Sequence, residues 1–175
     1  MFLETDRLLL RKFRDQDFDD FYAFAADREM CRMMGRDDLT DPAAARRNFS
    51  WLKDHEERAY AVVLKETGSV IGNLTVTSPA PSVLLHETLC GKRGCSLSFS
   101  ISRFYQRRGL MTEALRAVID QLFSVEAFDY INCGHFGFNS ASRALQQTLG
   151  FSFLFSESHT INGEETECIE NVLLR

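Results

Sequence analysis

The sequence predicts an α/β (α+β) protein in which a central, mostly antiparallel mixed sheet of about seven strands is flanked by helices. Several short segments alternate apolar and polar residues, which is typical of half-buried strands. Other segments carry apolar residues at helical spacing. The predicted order of elements is β-α-α-β-β-β-α-β-α-β-β, which includes an αβ crossover in the second half.

The first half of the chain is predicted to contain three strands and two helices. An aspartate that can cap a helix precedes each helix: Asp15 before the first, and Asp41, followed by Pro42, before the second. The predicted ranges are strand 5–12, helix 15–26, a helix from 42 toward Glu57, strand 59–65 and strand 70–77.

The second half is predicted to contain four strands and two helices. Gly150 follows the last helix, where glycine commonly ends a helix, and Asn162-Gly163 is a strong hairpin turn. Residues 79–94 form a polar segment to which no element is assigned. The predicted ranges are strand 97–101, helix 109–123, strand 130–136, helix 140–149, strand 151–159 and strand 164–174. No repeat or linker interrupts the chain, so one domain over 1–175 is expected.

Composition and charge exclude several classes of protein. Hydrophobic residues make up 45% and charged residues 26% of the chain, as in a folded globular protein. The net charge of −5 argues against nucleic acid as a partner. No segment looks long enough to span a membrane, and no signal peptide is evident. Five irregularly spaced cysteines favour a reducing compartment, so we expect the cytoplasm. Their spacing to histidines does not match a zinc motif, so no metal is expected.

The loop between the strand 97–101 and the following helix carries the most specific chemical pattern. It ends in Gln106-Arg107-Arg108-Gly109-Leu110-Met111-Thr112, so consecutive backbone N–H groups lead into a helix N-terminus. Such a terminus binds phosphate oxygens, Gly109 permits close approach, and the arginines add positive charge. The pattern predicts a pyrophosphate or ribose-phosphate site. Taken alone, it also fits a solvated basic loop before an ordinary amphipathic helix.

Three motifs follow one another in an informative order: Leu3–Arg11 at the start, Gln106–Ala114 in the loop, and Asn139–Arg143 followed by Leu149-Gly150-Phe151. Together they resemble the GCN5-related N-acetyltransferase (GNAT) superfamily, and within it the RimJ/RimL-like branch that acetylates ribosomal-protein N-termini. The loop is similar to the family's acetyl-CoA motif Q/R-x-x-G-x-G/A. Met111 departs from that motif, since the family prefers a small residue there. An unbranched thioether can swing aside, and only the backbone N–H of Met111 is needed.

The resemblance implies a GNAT fold and acetyl-CoA as cosubstrate, with transfer to a primary amine by direct attack in a ternary complex. It implies that the thioester lies in a cleft where the strand ending at Ile101 splays from the strand 130–136. A bulge there would aim backbone N–H groups at the carbonyl oxygen. The residues that it assigns to acetyl-CoA binding are Phe99, Ser100, Ile101, Gln106, Arg107, Arg108, Gly109, Leu110, Met111, Thr112, Asn139 and Ser142.

Ser142 is the candidate catalytic residue, because the resemblance places it where the ribosomal branch carries a serine proposed to serve the leaving sulfur. Members that use a tyrosine would place it near Gln146, which cannot act as an acid. Asn139 matches the family asparagine that contacts the pantetheine arm. From the residues alone, Asn139 is equally a helix cap, and Ser142 is equally a surface serine on a helix.

The general base is not identified from the sequence. Many relatives carry a carboxylate about where Ser96 stands, and a serine cannot deprotonate an ammonium. Glu87, His86 or a water chain could serve, although Glu87 and His86 also fit an exposed loop. An α-amine with a pKa of ~7.7–8.0 is partly neutral without a base, whereas a lysine at ~10.4 is not. This favours a protein N-terminus, or another low-pKa amine on a small molecule, as acceptor.

Two alternatives stay open. One is a catalytically weak or inactive acyl-CoA-binding regulatory module of the same fold. The other concerns assembly, since the sequence fits both a monomer and a homodimer.

Overall fold

The computed structural model describes residues 2–55, 58–161 and 163–175, the side chains of 37 and 38 excepted. The strands are β1 (Leu3–Glu4), β2 (Leu8–Arg11), β3 (Ala59–Leu64), β4 (Val70–Thr77), β5 (Gly94–Ile101), β6 (Tyr130–Phe136), β7 (Ser152–Ile161) and β8 (Glu164–Leu174). The helices are α1 (Phe18–Ala25), α2 (Arg28–Met34), α3 (Pro42–Asp54), α4 (Pro81–Leu84), α5 (Leu110–Ser124) and α6 (Ser140–Thr148). The strands form one sheet in the order β1-β2-β3-β4-β5-β6-β8-β7. The predicted α/β class, with a mostly antiparallel sheet, is confirmed.

The start of the first long helix differs from the sequence-based expectation. Asp15 is not its cap: residues Asp15–Asp17 form a 3-10 turn after Arg14, and α1 begins at Phe18. Asp17 is the residue that accepts the Arg14 N–H, at 2.7 Å. It is also held by a buried ion pair with Arg11, in which the two side chains are only 8% and 5% exposed. The ion pair with Arg11 therefore fixes Asp17, the residue that directly precedes α1.

Two helices were not anticipated. The helix α2 is capped by the Asp27 side chain and is followed by Gly35, whose φ is 65°. The short helix α4 begins with Pro81 inside the segment left without assignment. The predicted start of α3 is correct, because Asp41 accepts the N–H groups of Ala43 and Ala44.

Most of the remaining predicted boundaries agree with the structure within a few residues, and β6 agrees fully. Glu57 and Asn162, which entered two of the predictions, lie outside the described residues.

The chain divides into two compact units, each assembled from separate stretches. Unit 1 comprises Met1–Thr75 and Phe99–Ala117, and unit 2 comprises Val76–Ser98 and Val118–Arg175. The expectation of a single domain stays a prediction. No helix in the described ranges is long and apolar enough to cross a membrane.

Aromatic side chains dominate the core of unit 1. Phe49 of α3 contacts three other rings edge-on or tilted, at centroid distances of 5.4 to 5.6 Å. Such geometry adds to the stabilisation that burial of these rings provides. The buried phenylalanines of this cluster are Phe13, Phe18, Phe21, Phe24 and Phe49.

Unit 2 contains the strand pairing that organises the second half. The antiparallel register of β6 with β8 runs from Tyr130–Leu174 to Phe136–Cys168. The parallel register of β5 with β6 covers three residue pairs and ends at Ser96–Asn132. The buried Tyr130 ring covers Gly94, where a Cβ would lie 2.1 Å from the ring. Gly94 therefore makes room for the tyrosine.

Candidate functional site

The loop from β5 to α5 has the backbone shape expected of an anion site. After the 3-10 turn Arg103–Tyr105, the residues Arg107 and Gly109 both adopt left-handed conformations, with φ of 60° and 73°. They flank Arg108 and lead directly into α5 at Leu110. Left-handed residues alternating with others build concave nests of N–H groups that bind anions. The helix N-terminus adds unpaired donors and a partial positive charge.

An ion pair from the N-terminal segment fixes this loop. The Arg7 guanidinium donates through Nε to Glu113 Oε2 at 2.7 Å and through Nη1 to the Arg108 carbonyl oxygen at 3.0 Å. The Arg7 N–H and the Thr5 hydroxyl both donate to Glu113 Oε1, at 2.9 and 2.5 Å. Burial raises the pKa of Glu113, but these hydrogen bonds from Thr5 and Arg7 outweigh it and hold the pKa below its usual value. Glu113 is therefore a carboxylate that anchors the start of α5.

The predicted loop residues divide into exposed and buried groups. Arg107, Arg108 and Gly109 are exposed, and the Arg108 guanidinium lies 5.3 Å from the centroid of the Tyr105 ring. Leu110 and Met111 are only 4% and 5% exposed. Their side chains belong to the core, so only their backbone groups are available to a ligand. The thioether of Met111, which departs from the family motif, is therefore buried with the core.

Gln106 and Thr112 complete the loop. The Gln106 amide donates to the Ile101 carbonyl oxygen at 3.2 Å and contacts the Met30 sulfur at 3.6 Å. Gln106 therefore fixes the turn after β5. Thr112 is half-buried in the first turn of α5.

The end of β5 lies tightly against β4. A Cβ at Gly72 would come within 2.3 Å of the Ser100 carbonyl oxygen, and the Ser102 N–H donates to the Ile71 carbonyl at 2.8 Å. The Ser100 hydroxyl donates to the Asn73 side chain. Phe99 is half-buried, while Ser100 and Ile101 are buried. The bulge expected at 99–101 stays a prediction.

In unit 2, the helix α6 carries the candidate catalytic serine. The Asn139 side chain accepts the Ser142 N–H at 3.0 Å, so Asn139 caps the helix. The Ser142 hydroxyl oxygen accepts a hydrogen bond from Gln146 Nε2 at 3.0 Å. A serine whose oxygen accepts in this way keeps its own proton for a different acceptor. The hydroxyl of Ser142 is thus arranged as a donor.

A buried polar network orients Gln146. Its amide also donates to the Gly134 carbonyl at 3.3 Å and accepts from Asn171 at 2.7 Å. Asn171 Nδ2 lies 3.3 Å from His135 Nδ1. Burial lowers the pKa of His135, and the positive charge of Arg143 lowers it further.

Sequence reasoning missed this network. The i,i+4 spacing of Ser142 and Gln146 was a visible signal, but the pairing of β6 with β8 that brings Asn171 to them was not.

The other residues considered for chemistry are dispersed. The His86 ring stacks on Phe155 at 5.8 Å, and Glu87 is exposed. None of the five cysteines, all of which lie in the described ranges, forms a disulfide; Cys90 is exposed and Cys95 is buried. Among the described residues, no group of three or more His, Cys, Asp or Glu side chains is placed to hold a metal ion.

Comparison with solved structures shows the fold. An acetyltransferase (GNAT family) from Bacillus anthracis superposes with a TM-score of 0.84 at 15% identity, over 99% of this chain and 98% of that one. The ribosomal-protein-S5-alanine acetyltransferase from Vibrio fischeri gives 0.75 at 17% identity, over 99% and 96%. RimL, a ribosomal L7/L12 alpha-N-protein acetyltransferase in complex with coenzyme A, gives 0.76 at 12% identity, over 99% and 98%.

Comparison of sequences gives the family. A search of curated proteins finds no match. The family model described as "Acetyltransferase (GNAT) domain" matches residues 7–152, which is most of the chain. The protein therefore belongs to the GNAT family of acetyltransferases, which transfer the acetyl group of acetyl-CoA to an amine.

Proposed function

We propose that this protein acetylates a primary amine of low pKa, such as a protein N-terminal α-amine, by direct attack on acetyl-CoA in a ternary complex. The observation that carries the proposal is the loop 106–112, where left-handed Arg107 and Gly109 lead backbone donors into α5. Two similar structures bear the names of enzymes that act on ribosomal proteins, which supports a protein N-terminus as acceptor.

Acetyl-CoA binding is assigned to two stretches. The pyrophosphate is held by the backbone N–H groups of residues 108–112, with Arg107 and Arg108 supplying charge. The pantetheine amides pair with the end of β5 at Phe99, Ser100 and Ile101, as a peptide adds to a sheet edge. Asn139 contacts the pantetheine arm. Its cap uses only the amide oxygen, so the amide nitrogen can serve this second role.

Ser142 is assigned to the leaving group. The thiolate of coenzyme A carries negative charge as the C–S bond breaks, and a hydroxyl that donates to it lowers the barrier. Because Gln146 donates to the Ser142 oxygen, the hydroxyl proton points to another acceptor, as this role requires. The hydrogen bonds of Gln146 to Gly134 and Asn171 keep its amide in this orientation.

The decisive experiment combines binding and turnover. Wild-type protein is tested by calorimetry with coenzyme A, and for release of free thiol from acetyl-CoA with peptides, polyamines, aminoglycosides and amino acids. Gly109→Val should abolish coenzyme A binding, because Gly109 has φ of 73° and a side chain there would block the anion. Gly68→Val is the matched control, since Gly68 has the same φ of 73° in the turn between β3 and β4.

Two results of this experiment would contradict the proposal. Unchanged coenzyme A affinity in Gly109→Val would show that the loop is not the pyrophosphate site. Tight binding by wild type without thiol release, for every amine tested, would establish the binding-module alternative instead of an enzyme.

A further inference from the structure

We propose that Glu170 is the base that takes the proton from the attacking amine, an inference that rests on the proposed acetyl transfer. Glu170 lies on β8 directly opposite Gly134 of β6. It is half-buried, so its carboxylate is partly shielded but still reachable from solvent. The sequence did not single out a base, and the contacts of Glu170 arise from strand pairing that the sequence alone does not reveal.

Gly134 provides the space in which the carboxylate lies. A Cβ at this position would come within 2.5 Å of Glu170 Oε1 and 3.1 Å of its carboxyl carbon. Gly134 does not have a positive φ, so its backbone conformation does not require glycine. The absence of a side chain at 134 is therefore explained by the position of the Glu170 carboxylate.

A hydrogen-bonded chain connects this carboxylate to Ser96. The Ser96 hydroxyl donates to Asn132 Oδ1 at 2.5 Å, and Asn132 Nδ2 donates to Glu170 Oε2 at 2.9 Å. Asn132 is only 3% exposed, so its amide is held in one orientation. Ser96 and Asn132 form the last residue pair in the register of β5 with β6. The serine that cannot accept a proton is thus linked to a carboxylate that can.

The electrostatic surroundings suit a base. Burial raises the pKa of Glu170, and the charge of Glu157 raises it further. The Asn132 hydrogen bond and His159 lower the pKa, but the net change is a rise. Glu157 and His159 are the titratable groups that approach from β7, and His159 Nε2 lies 3.0 Å from Glu157 Oε1. A carboxylate with a raised pKa accepts a proton more readily near neutral pH.

Glu170 and the network that contains Ser142 lie on opposite faces of β6. Asn132 and Gly134 face the side that holds Glu170, whereas Cys133 and His135 face the other, because side chains alternate along a strand. Asn171, which contacts Gln146 and through it Ser142, lies on the His135 side. The proposed base and the hydroxyl proposed to serve the leaving group therefore belong to opposite faces of β6.

The proton balance of the step is complete. Glu170 takes one proton from R–NH₃⁺, directly or through one water, and the freed lone pair forms the N–C bond at the thioester carbonyl. The C–S bond then breaks, and the sulfur keeps its electron pair. The second proton lost from nitrogen balances the proton that the thiolate gains. Glu170 later returns its proton to solvent.

The test compares pH profiles of three proteins. Wild type, Glu170→Gln and Glu164→Gln are assayed for kcat/KM with an α-amine acceptor from pH 6 to 9. Glu164 is an exposed carboxylate at the start of the same strand, so its variant controls for the loss of one charge. We expect kcat/KM of Glu170→Gln to fall about a hundred-fold at pH 7, the lower end of what a general base contributes. The deficit should shrink above about pH 8, where the amine is neutral by itself. Glu164→Gln should match wild type.

A second variant moves the carboxylate without removing it. In Gly134→Ala the three atoms nearest to the new methyl group all belong to the flexible carboxyl end of Glu170, so the fold should persist while the carboxylate is displaced. We expect turnover to fall, with the melting temperature and coenzyme A affinity close to wild type.

No thiol release by wild type would overturn the proposed function and this inference with it. Wild-type turnover with an unchanged pH profile in Glu170→Gln would overturn only the assignment of Glu170.

Discussion

The carboxylate that anchors the start of α5 offers the sharpest test of how the loop is held. We consider Glu113→Gln, which keeps the size of the side chain and one acceptor oxygen. The second oxygen becomes an amide nitrogen that faces the Arg7 guanidinium, so a charge-assisted bond of 2.7 Å is lost. Arg7 is then free to leave the Arg108 carbonyl, to which it donates at 3.0 Å. The substitution therefore acts on both stability and loop shape.

The loss of stability expected in Glu113→Gln depends on how exposed the Arg7–Glu113 pair is. Arg7 is 49% exposed and Glu113 is 19% exposed in this pair. A fully exposed pair contributes ~0–1 kcal/mol, and a hydrogen bond to a buried charged group ~1.5–3 kcal/mol. An intermediate pair should contribute about 1–2 kcal/mol. For a chain of this size that is a fall in Tm of about 2–8 °C. A loosened loop should weaken coenzyme A binding by about five-fold, the equivalent of ~1 kcal/mol.

The dependence on pH identifies the charge as the cause. The folded state holds the pKa of Glu113 below its usual value of 4.5, so folding favours the ionised form. The contribution to stability is present above that value and is lost as the pH falls through the folded pKa. Tm of wild type and variant, measured by calorimetry from pH 7 down to 3, should therefore differ most at pH 7 and converge in acid.

Asp120→Asn serves as control, since Asp120 is an exposed acid on the same helix. Its Tm should change by less than the equivalent of ~0.5 kcal/mol. An unchanged Tm in Glu113→Gln at pH 7, or a difference that does not shrink between pH 7 and pH 3, would refute the account of the anchor given above.

Three further substitutions test other parts of the molecule. Arg108→Ala should weaken coenzyme A binding most at low salt while leaving pantetheine binding unchanged, because only the phosphate contact is Coulombic and the Arg108 carbonyl held by Arg7 remains. Ser142→Ala should lower kcat about ten- to a hundred-fold, from the loss of ~1.5–3 kcal/mol, with little change in the KM for acetyl-CoA. Ser140→Ala, on the same helix, is its control. Burial lowers the pKa of His135, so wild-type Tm should fall as the pH drops below about 6.5, and His135→Leu should reduce that fall.

The sequence was most informative where the relevant residues lie close together in the chain. The loop 106–112 and the helix after it were located to within a residue, because the motif and the apolar spacing are local. The capping aspartate of α3 was found for the same reason. Asp15 was wrongly predicted to cap α1. The helix begins after Asp17, which a buried pair with Arg11 holds, and no local pattern reveals that pair.

Contacts that depend on strand register could not be predicted. Gln146 was considered only as a residue that cannot act as an acid, yet it donates to the Ser142 oxygen, and its own partner Asn171 is 25 residues away. Glu170 reaches Asn132 across 38 residues and lies over Gly134 only because β6 and β8 pair in one register. A shift of one residue in that register would turn Glu170 to the opposite side of the sheet.

The order in which the chain is synthesised has a consequence for the two units. Unit 1 needs Phe99–Ala117 as well as its first 75 residues, so a nascent chain cannot complete it until Ala117 has emerged from the ribosome. Residues 76–98 belong to unit 2, in which Val83 and Leu89 share a buried cluster with Val172. During synthesis, residues 76–98 therefore stay without their partners while unit 1 folds. The loop 106–112 and its anchor to Arg7 lie wholly within unit 1, so they can form before the C-terminal strands have emerged.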